Sequence, residues 1–230
     1  MLLAIETLDR GGSLALARDG RLVELNYLHS SRPHSCRLFP AIHKLLENHD
    51  VQPEELDAIG VCRGPGAFTA IRLGVTAAKV LAETSQAALV STTSLRLLAR
   101  FGAGFPGNIV AVVSARRGEL YRQTFSWNLE KETLEEINQP AAVTPDRLKV
   151  ELSERGGGLI VSRERQWKPE PENWPEDVIF YPGEQRRALA APLVDFTYEQ
   201  LELGAAENPD EVSPSYVRRT DAEKAKEAKR

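Results

Sequence analysis

The order of apolar and polar positions predicts most of the elements. Leu2 to Thr7 is a short apolar run, Ser13 to Ala17 alternates, and Leu22 to Leu28 follows Arg18-Asp19-Gly20-Arg21, a turn signal of the kind that joins hairpin strands. Three antiparallel strands are therefore expected to open the chain. After the polar stretch from Ser30 to Ser35, Leu38, Ala41, Ile42 and Leu45 recur at helical spacing, and Pro40 is tolerable because it lies near the helix start. Asp57 to Cys62 reads as a buried strand, Phe68 to Thr84 as a helix, Ala88 to Val90 as a strand and Ser94 to Phe101 as a helix.

A loop-like boundary at Gly102 to Gly107 precedes two strands, Asn108 to Val113 and Gly118 to Trp127. A second unit thus begins in the manner of the first, and we expect subdomains over 1–104 and 105–230. Beyond it the pattern is weaker: a helix over Thr144 to Ser153, strands at Leu159 to Val161 and Val178 to Tyr181, and helical stretches at Glu184 to Leu193 and Tyr198 to Leu203. The order of elements indicates an α/β protein.

Composition narrows the classes. The chain has 230 residues, is 42% hydrophobic and carries a net charge of -4, enough apolar content for a core and too little positive charge to hold nucleic acid by bulk electrostatics. The stretch from Val217 to Arg230 holds basic Arg218, Arg219, Lys224, Lys226, Lys229 and Arg230 against acidic Asp221, Glu223 and Glu227, so the tail is +3 and the body -7. Cys36 and Cys62 have neither CxxC spacing nor a zinc-type histidine pattern, and His29, His34, His43 and His49 form no HExxH or HxxxH pair, so no metal site is expected. The start lacks the basic and apolar regions of a signal peptide and no run is long enough to span a bilayer, so a cytoplasmic protein is expected, with no membrane partner.

Some segments carry candidate chemistry. Arg63-Gly64-Pro65-Gly66-Ala67-Phe68-Thr69 lies between a predicted strand and helix, where backbone N–H groups and the helix dipole attract an anion; the spacing is neither GxxxxGK[ST] nor GxGxxG, and a plain tight turn fits equally. Glu6, at the end of the first strand, stands where a phosphotransferase can place a metal-binding acid, or where a solvated turn simply has one. Glu6, Gly64, Gly66 and Thr69 are the candidate nucleotide-cleft residues. In the helix that follows, Ile71, Val75, Ala78 and Ala82 form one apolar stripe and Leu73, Ala77, Val80 and Leu81 another, leaving only Arg72, Thr76, Lys79 and Glu83 polar. Such a helix is either central or docks a partner with one side. Arg116 and Arg117 sit in a turn that is either solvated or able to grip an anion. No GxSxG elbow supports a serine hydrolase.

The runs His34-Ser35-Cys36-Arg37-Leu38-Phe39-Pro40, Gly64-Pro65-Gly66-Ala67-Phe68-Thr69-Ala70-Ile71-Arg72-Leu73-Gly74, Ala115-Arg116-Arg117-Gly118-Glu119-Leu120-Tyr121 and Pro214-Ser215-Tyr216-Val217-Arg218-Arg219 together resemble the bacterial TsaB family, also called YeaZ. The similarity is clear to about Tyr121 and returns at Pro214. It implies the actin-like ATPase fold of sugar kinases, Hsp70 and actin, with two similar ribonuclease-H-like subdomains. It also implies a noncatalytic scaffold in making threonylcarbamoyladenosine beside the anticodon of tRNAs that read codons beginning with A. The expected partners are a catalytic TsaD paralogue, a TsaE ATPase and, through the complex, tRNA, with ATP and metal held by the partners and no cofactor on the isolated chain. Older naming places the family among M22 peptidases, so an active enzyme of this fold, a small-molecule kinase or a peptidase, is the alternative.

Glu6 stands where the family usually has Asp, Ala67 where it has Ser, Ala70 where it has Gly, and Ser114 where it often has Asp. Each change removes or moves a polar group near the expected cleft, which suits a pseudoenzyme. The expected docking surface comprises Arg37, Leu38, Ala41, Ile42, Leu45, Ile71, Arg72, Val75, Thr76 and Lys79, and the isolated chain is expected to form a homodimer through it.

Overall fold

The computed structural model describes residues 1–8, 12–28, 37–115, 118–162, 170–181 and 188–217. The opening hairpin forms as its alternation predicts: β1 (Leu2–Glu6) pairs antiparallel with β2 (Gly12–Arg18), which pairs antiparallel with β3 (Arg21–Leu28) around the left-handed turn at Asp19 and Gly20. Helix α1 (Leu38–Glu47) follows, then β4 (Ala58–Cys62), α2 (Phe68–Ser85), β5 (Ala88–Thr92) and α3 (Ser94–Ala99). β4 runs parallel to β1, and β5 parallel to β4, giving a five-stranded sheet in the order β3-β2-β1-β4-β5.

The second half repeats this plan. It contains β6 (Ile109–Ser114), β7 (Leu120–Asn128), β8 (Thr133–Glu136), β9 (Ala141–Val143), α4 (Pro145–Glu154), β10 (Gly158–Ser162), β11 (Val178–Phe180) and α5 (Ala190–Glu202). The main path of its sheet is β11-β10-β6-β7-β8, with β9 also on β7, so an antiparallel hairpin flanks one side of the first strand and parallel strands the other, as in the first sheet. This duplicated arrangement is the actin-like ATPase fold that the resemblance implies.

Two differences from the sequence pattern have plain causes. β8 reads Thr-Leu-Glu-Glu with only Leu134 buried, too little apolar content to show a strand period. The predicted helical stretches at Glu184 to Leu193 and Tyr198 to Leu203 are, within the described residues, the single helix α5; its Pro192 sits in the first turn, where no intrahelical N–H is missing.

The closing helices cross over. α3, which ends the first half, packs on β6, β7 and β10, whereas α5, which ends the second, packs on β1, β2, β4 and β5. Gly60 of β4 makes that approach close, since a Cβ there would collide with Thr197 Oγ1 and stand 3.2 Å from the Leu193 side chain. One continuous core therefore links both sheets through Leu95, Leu97, Leu98, Leu189, Leu193 and Val194. A smaller cluster of Val110, Val112, Leu120, Leu148, Leu152, Ile160 and Trp174 lies between α4 and the second sheet. Ile109, Ala111 and Val113 alternate with Val110 and Val112 and belong to the main core, as the two faces of a strand require.

Candidate functional site

The carboxyl ends of β1 and β4 lie side by side, the place where open α/β sheets offer a crevice. Glu6 ends β1 and is fully buried. Its Oε1 accepts the Leu8 backbone N–H at 2.8 Å and its Oε2 accepts the Ser13 hydroxyl at 2.8 Å. Ser13 Oγ in turn accepts the Ala190 N–H at 3.1 Å, so the carboxylate ties β1 to β2 and, through a hydroxyl, to the start of α5. Thr7, one residue on, points to the other face of the sheet and donates from Oγ1 to the Ala70 carbonyl of α2 at 2.7 Å.

The loop from Arg63 to Ala67 is held from several directions. Arg63 N–H donates to Thr92 O at 2.9 Å, and Arg63 O accepts from Ser215 N at 2.7 Å. Gly64 O accepts the Ser94 N–H at 2.7 Å, Pro65 O accepts the Ser94 hydroxyl at 2.8 Å, and Ala67 N–H donates to Leu8 O at 2.7 Å. The glycines serve this packing. Gly64 has φ of +101°, and a Cβ there would lie 2.8 Å from Ile71 Cδ1; a Cβ on Gly66 would lie 2.8 Å from Leu8 O. Thr69 is exposed in the first turn of α2, whose N-cap, Ala67, offers no side-chain cap. Gly64, Gly66 and Thr69 thus share one loop-helix junction, and the chain's own Ile71 side chain and Leu8 backbone occupy the close approaches that Gly64 and Gly66 respectively permit.

Half of the expected docking residues are core, which corrects the surface read from the helical stripes. Leu38, Ile42 and Leu45 of α1 and Ile71 and Val75 of α2 are all at most 3% exposed, because α1 packs on β2 and β3 and α2 on β1, β4 and β5. Ala41 is half-buried, and Arg37 Nη1 donates to Leu28 O at 2.8 Å, tying α1 to the end of β3. What faces outward on α2 is Arg72 and Thr76, with Lys79 half-buried, beside Phe68 and Val80 at 37% and 46% exposed.

The helical stripes did not reveal what lies next to these residues. Segment 207–216 returns along α2: Lys79 Nζ donates to Asp210 O at 3.4 Å and Val212 O at 3.5 Å, Arg72 Nε donates to the Tyr216 hydroxyl at 2.7 Å, and Tyr216 stacks on Phe68 with ring centroids 5.2 Å apart. Arg72 Cζ also sits 3.9 Å over the Phe68 ring. The motif run from Pro214 to Arg219, which contains Tyr216, is the sequence signal that this segment matters, though not of where it packs. The His34 to Cys36 part of the first motif, the Arg116-Arg117 pair and the basic residues from Arg218 onward lie outside the described residues. Ala115 N–H donates to Glu119 O at 2.8 Å, joining the end of β6 to the start of β7.

On α5, partial burial raises the Asp195 carboxyl above its ordinary pKa; Arg100 opposes this and Glu199 adds to it. Among the described residues no group of three or more His, Cys, Asp or Glu side chains is placed to hold a metal ion, and no helix is long and apolar enough to cross a membrane.

Comparison with known proteins places this geometry in context. The family model of TsaD, tRNA N6-adenosine threonylcarbamoyltransferase, matches residues 28–198. The chain is 36% identical over 126 residues to the tRNA threonylcarbamoyladenosine biosynthesis protein TsaB of Bacillus subtilis, covering 55% of each chain. It is 23% identical over 220 residues to the protein of the same name from Escherichia coli, covering 94% of each. The match thus spans about half the length of the first relative and nearly all of the second. Among solved structures, YeaZ from Pseudomonas aeruginosa superposes with a TM-score of 0.76 at 23% identity, covering 94% of this chain and 98% of that one. A putative N-acetylmannosamine kinase from Listeria monocytogenes shares the fold at a TM-score of 0.50 and 7% identity, covering 87% of this chain and 99% of that one.

Proposed function

Because this chain belongs to the TsaD family, and within it to the proteins named TsaB and YeaZ, we propose that it is a noncatalytic scaffold in the formation of threonylcarbamoyladenosine on tRNA. In this reading it docks a catalytic TsaD-like paralogue in the cytoplasm, a TsaE-like ATPase joins the pair, and tRNAs reading codons that begin with A are modified by the assembly. ATP and metal belong to the partners. The observation that carries the reading is the filled crevice: both Glu6 oxygens accept hydrogen bonds from Leu8 and Ser13, and Leu8 O takes the Ala67 N–H inside the glycine loop. A carboxylate fully buried among its own chain is poorly suited to binding a hydrated magnesium ion, and a loop closed at Gly66 by Leu8 O and at Gly64 by the Ile71 side chain leaves a phosphate no close approach there.

The outer face of α2 is the docking surface in this account. Arg72 and Thr76 lie there beside partly exposed Phe68 and Val80, a mixture of aromatic, aliphatic and guanidinium groups typical of protein interfaces. The isolated chain uses the same face to form a homodimer. Titration calorimetry of the purified paralogue into this chain tests the surface. Thr76→Arg, which adds a bulky charge to an exposed helical position, is expected to abolish binding while leaving the melting transition in place, and unchanged binding would refute the assignment. The rival reading, a kinase of this fold, requires micromolar Mg-ATP binding to the isolated chain that is lost in Gly66→Trp.

A further inference from the structure

We propose that segment 207–216 is a strap, latched by Tyr216, that stacks on Phe68 and engages Arg72 and Lys79 on the outer face of α2 in the free chain, leaving Thr76 and Val80 exposed, and must lift at its end before a second copy of the chain docks there. The inference rests on the docking reading above and adds a regulated step to it.

The two parts of the strap are held unequally. Upstream, Glu207 N–H donates to Leu89 O at 2.8 Å, and its carboxylate accepts from the Ser91 backbone N–H and, at 3.1 Å, from the Ser91 hydroxyl. These bonds pair the segment with β5, an edge strand of the first sheet, so this portion closes an otherwise open ladder. Val212 is buried at 4% exposed beside them in the main core. Downstream, among the described residues, the segment is held by one backbone hydrogen bond, Ser215 N–H to Arg63 O at 2.7 Å, and by the surface cluster of Tyr216, Phe68 and Arg72.

That cluster joins residues 144 positions apart in sequence, and Tyr216 remains 44% exposed within it. Local opening begins where backbone bonds are few and burial is incomplete, so the Tyr216 end is the weak end and the Glu207 end is the hinge. The latch also uses the groups a partner would want. Arg72 is engaged by the tyrosine hydroxyl and stacked on Phe68, and Lys79 is turned toward strap carbonyls. A second copy that takes these cations must trade with the strap, which gives it a differential affinity between the latched and open faces.

The test uses the full chain. Hydrogen exchange is measured at the Ser215 amide and self-association by sedimentation velocity, for the parent, Tyr216→Ala, Tyr216→Phe, Thr76→Arg and the Tyr216→Ala/Thr76→Arg pair. Loss of a stacked aromatic and its hydrogen bond should speed exchange at Ser215 by roughly tenfold in Tyr216→Ala and by less in Tyr216→Phe, which keeps the ring. Self-association should tighten by several-fold in Tyr216→Ala, and Thr76→Arg should cancel the gain. Unchanged exchange in Tyr216→Ala overturns the latch. Faster exchange with unchanged or weaker self-association overturns the lifting step and makes Tyr216 part of the docking surface or irrelevant to it. Failure of the docking reading itself has a separate signature: Thr76→Arg leaves self-association and paralogue binding at the parental level.

Discussion

Replacing Glu6 by alanine separates a structural carboxylate from a ligand-binding one. Glu6 is fully buried and accepts from the Leu8 N–H and the Ser13 hydroxyl, each at 2.8 Å, while Ser13 Oγ relays to the Ala190 N–H. The substitution strands both donors where water does not reach them, and each stranded buried group costs about 1–3 kcal/mol. The loss of stability is therefore about 2–6 kcal/mol, a large share of the roughly 5–15 kcal/mol that holds such a protein folded. In a chain of this size each kcal/mol moves the melting temperature by roughly 2–4 °C. Urea denaturation followed by tryptophan fluorescence should show the midpoint fall with little change in slope, and Glu6→Gln, which keeps one acceptor, should fall less. The shift should be the same with and without magnesium. A loss below about 1 kcal/mol, against the 1–3 kcal/mol expected for even one stranded donor, would refute the bonding scheme. A loss that appears only when magnesium is present would restore Glu6 as a metal ligand.

Further outcomes follow from the same contacts. A Cβ on Gly74 collides with Thr7 Oγ1, which is already bonded to Ala70 O, so Gly74→Ala should destabilise by about 1–3 kcal/mol in a thermal melt. Val75→Arg puts a charge into the core and should abolish the cooperative melt, whereas Thr76→Arg, one residue on and exposed, should melt within about 0.5 kcal/mol of the parent. Asp195 has a raised pKa through partial burial, so the folded chain holds its proton more tightly than the unfolded one, and stability falls as pH rises from the ordinary carboxylate range through the raised value. Asp195→Asn should therefore stabilise the protein at neutral pH, and the gain should vanish as the pH drops to the ordinary carboxylate range; a gain independent of pH would contradict this.

The strands were legible because burial on a sheet face is written locally. The alternation of β2 and the apolar runs of β1, β4 and β6 needed no distant partner to be read. Contacts that join distant parts of the chain were not legible. α5 shows as a helix, but nothing in its residues says that it packs on the first sheet against Gly60. The apolar stripes of α1 and α2 read correctly as helical, yet periodicity cannot say whether a stripe faces a partner or the chain's own core, and Leu38, Ile42, Leu45, Ile71 and Val75 all went to the core. The glycine loop was legible as a place of close approach. What approaches Gly66 is Leu8, which only the pairing of β1 with β4 brings there.

The crossing of α3 and α5 ties the two halves together. Each closing helix packs on the other half's sheet, so a core containing Leu95, Leu98, Leu189 and Leu193 couples the halves. α2 packs on β1 and β4 from one face, and α5 packs on the same strands. α2 itself has no counterpart among the described residues between β10 and β11, where the chain offers a short 3-10 turn at Pro171–Asn173 instead. Among the described residues the two halves thus differ at this position.

In the proposed role, this chain enables modification by another protein without performing it. The direct measurement is threonylcarbamoyladenosine formed on tRNA in a reconstituted reaction with all substrates, containing this chain alone, the ATPase and catalytic paralogue alone, all components together, and all components with Thr76→Arg. Product is expected only in the complete mixture and should be lost with Thr76→Arg. Product from this chain alone, or an undiminished yield when it is omitted, would contradict it.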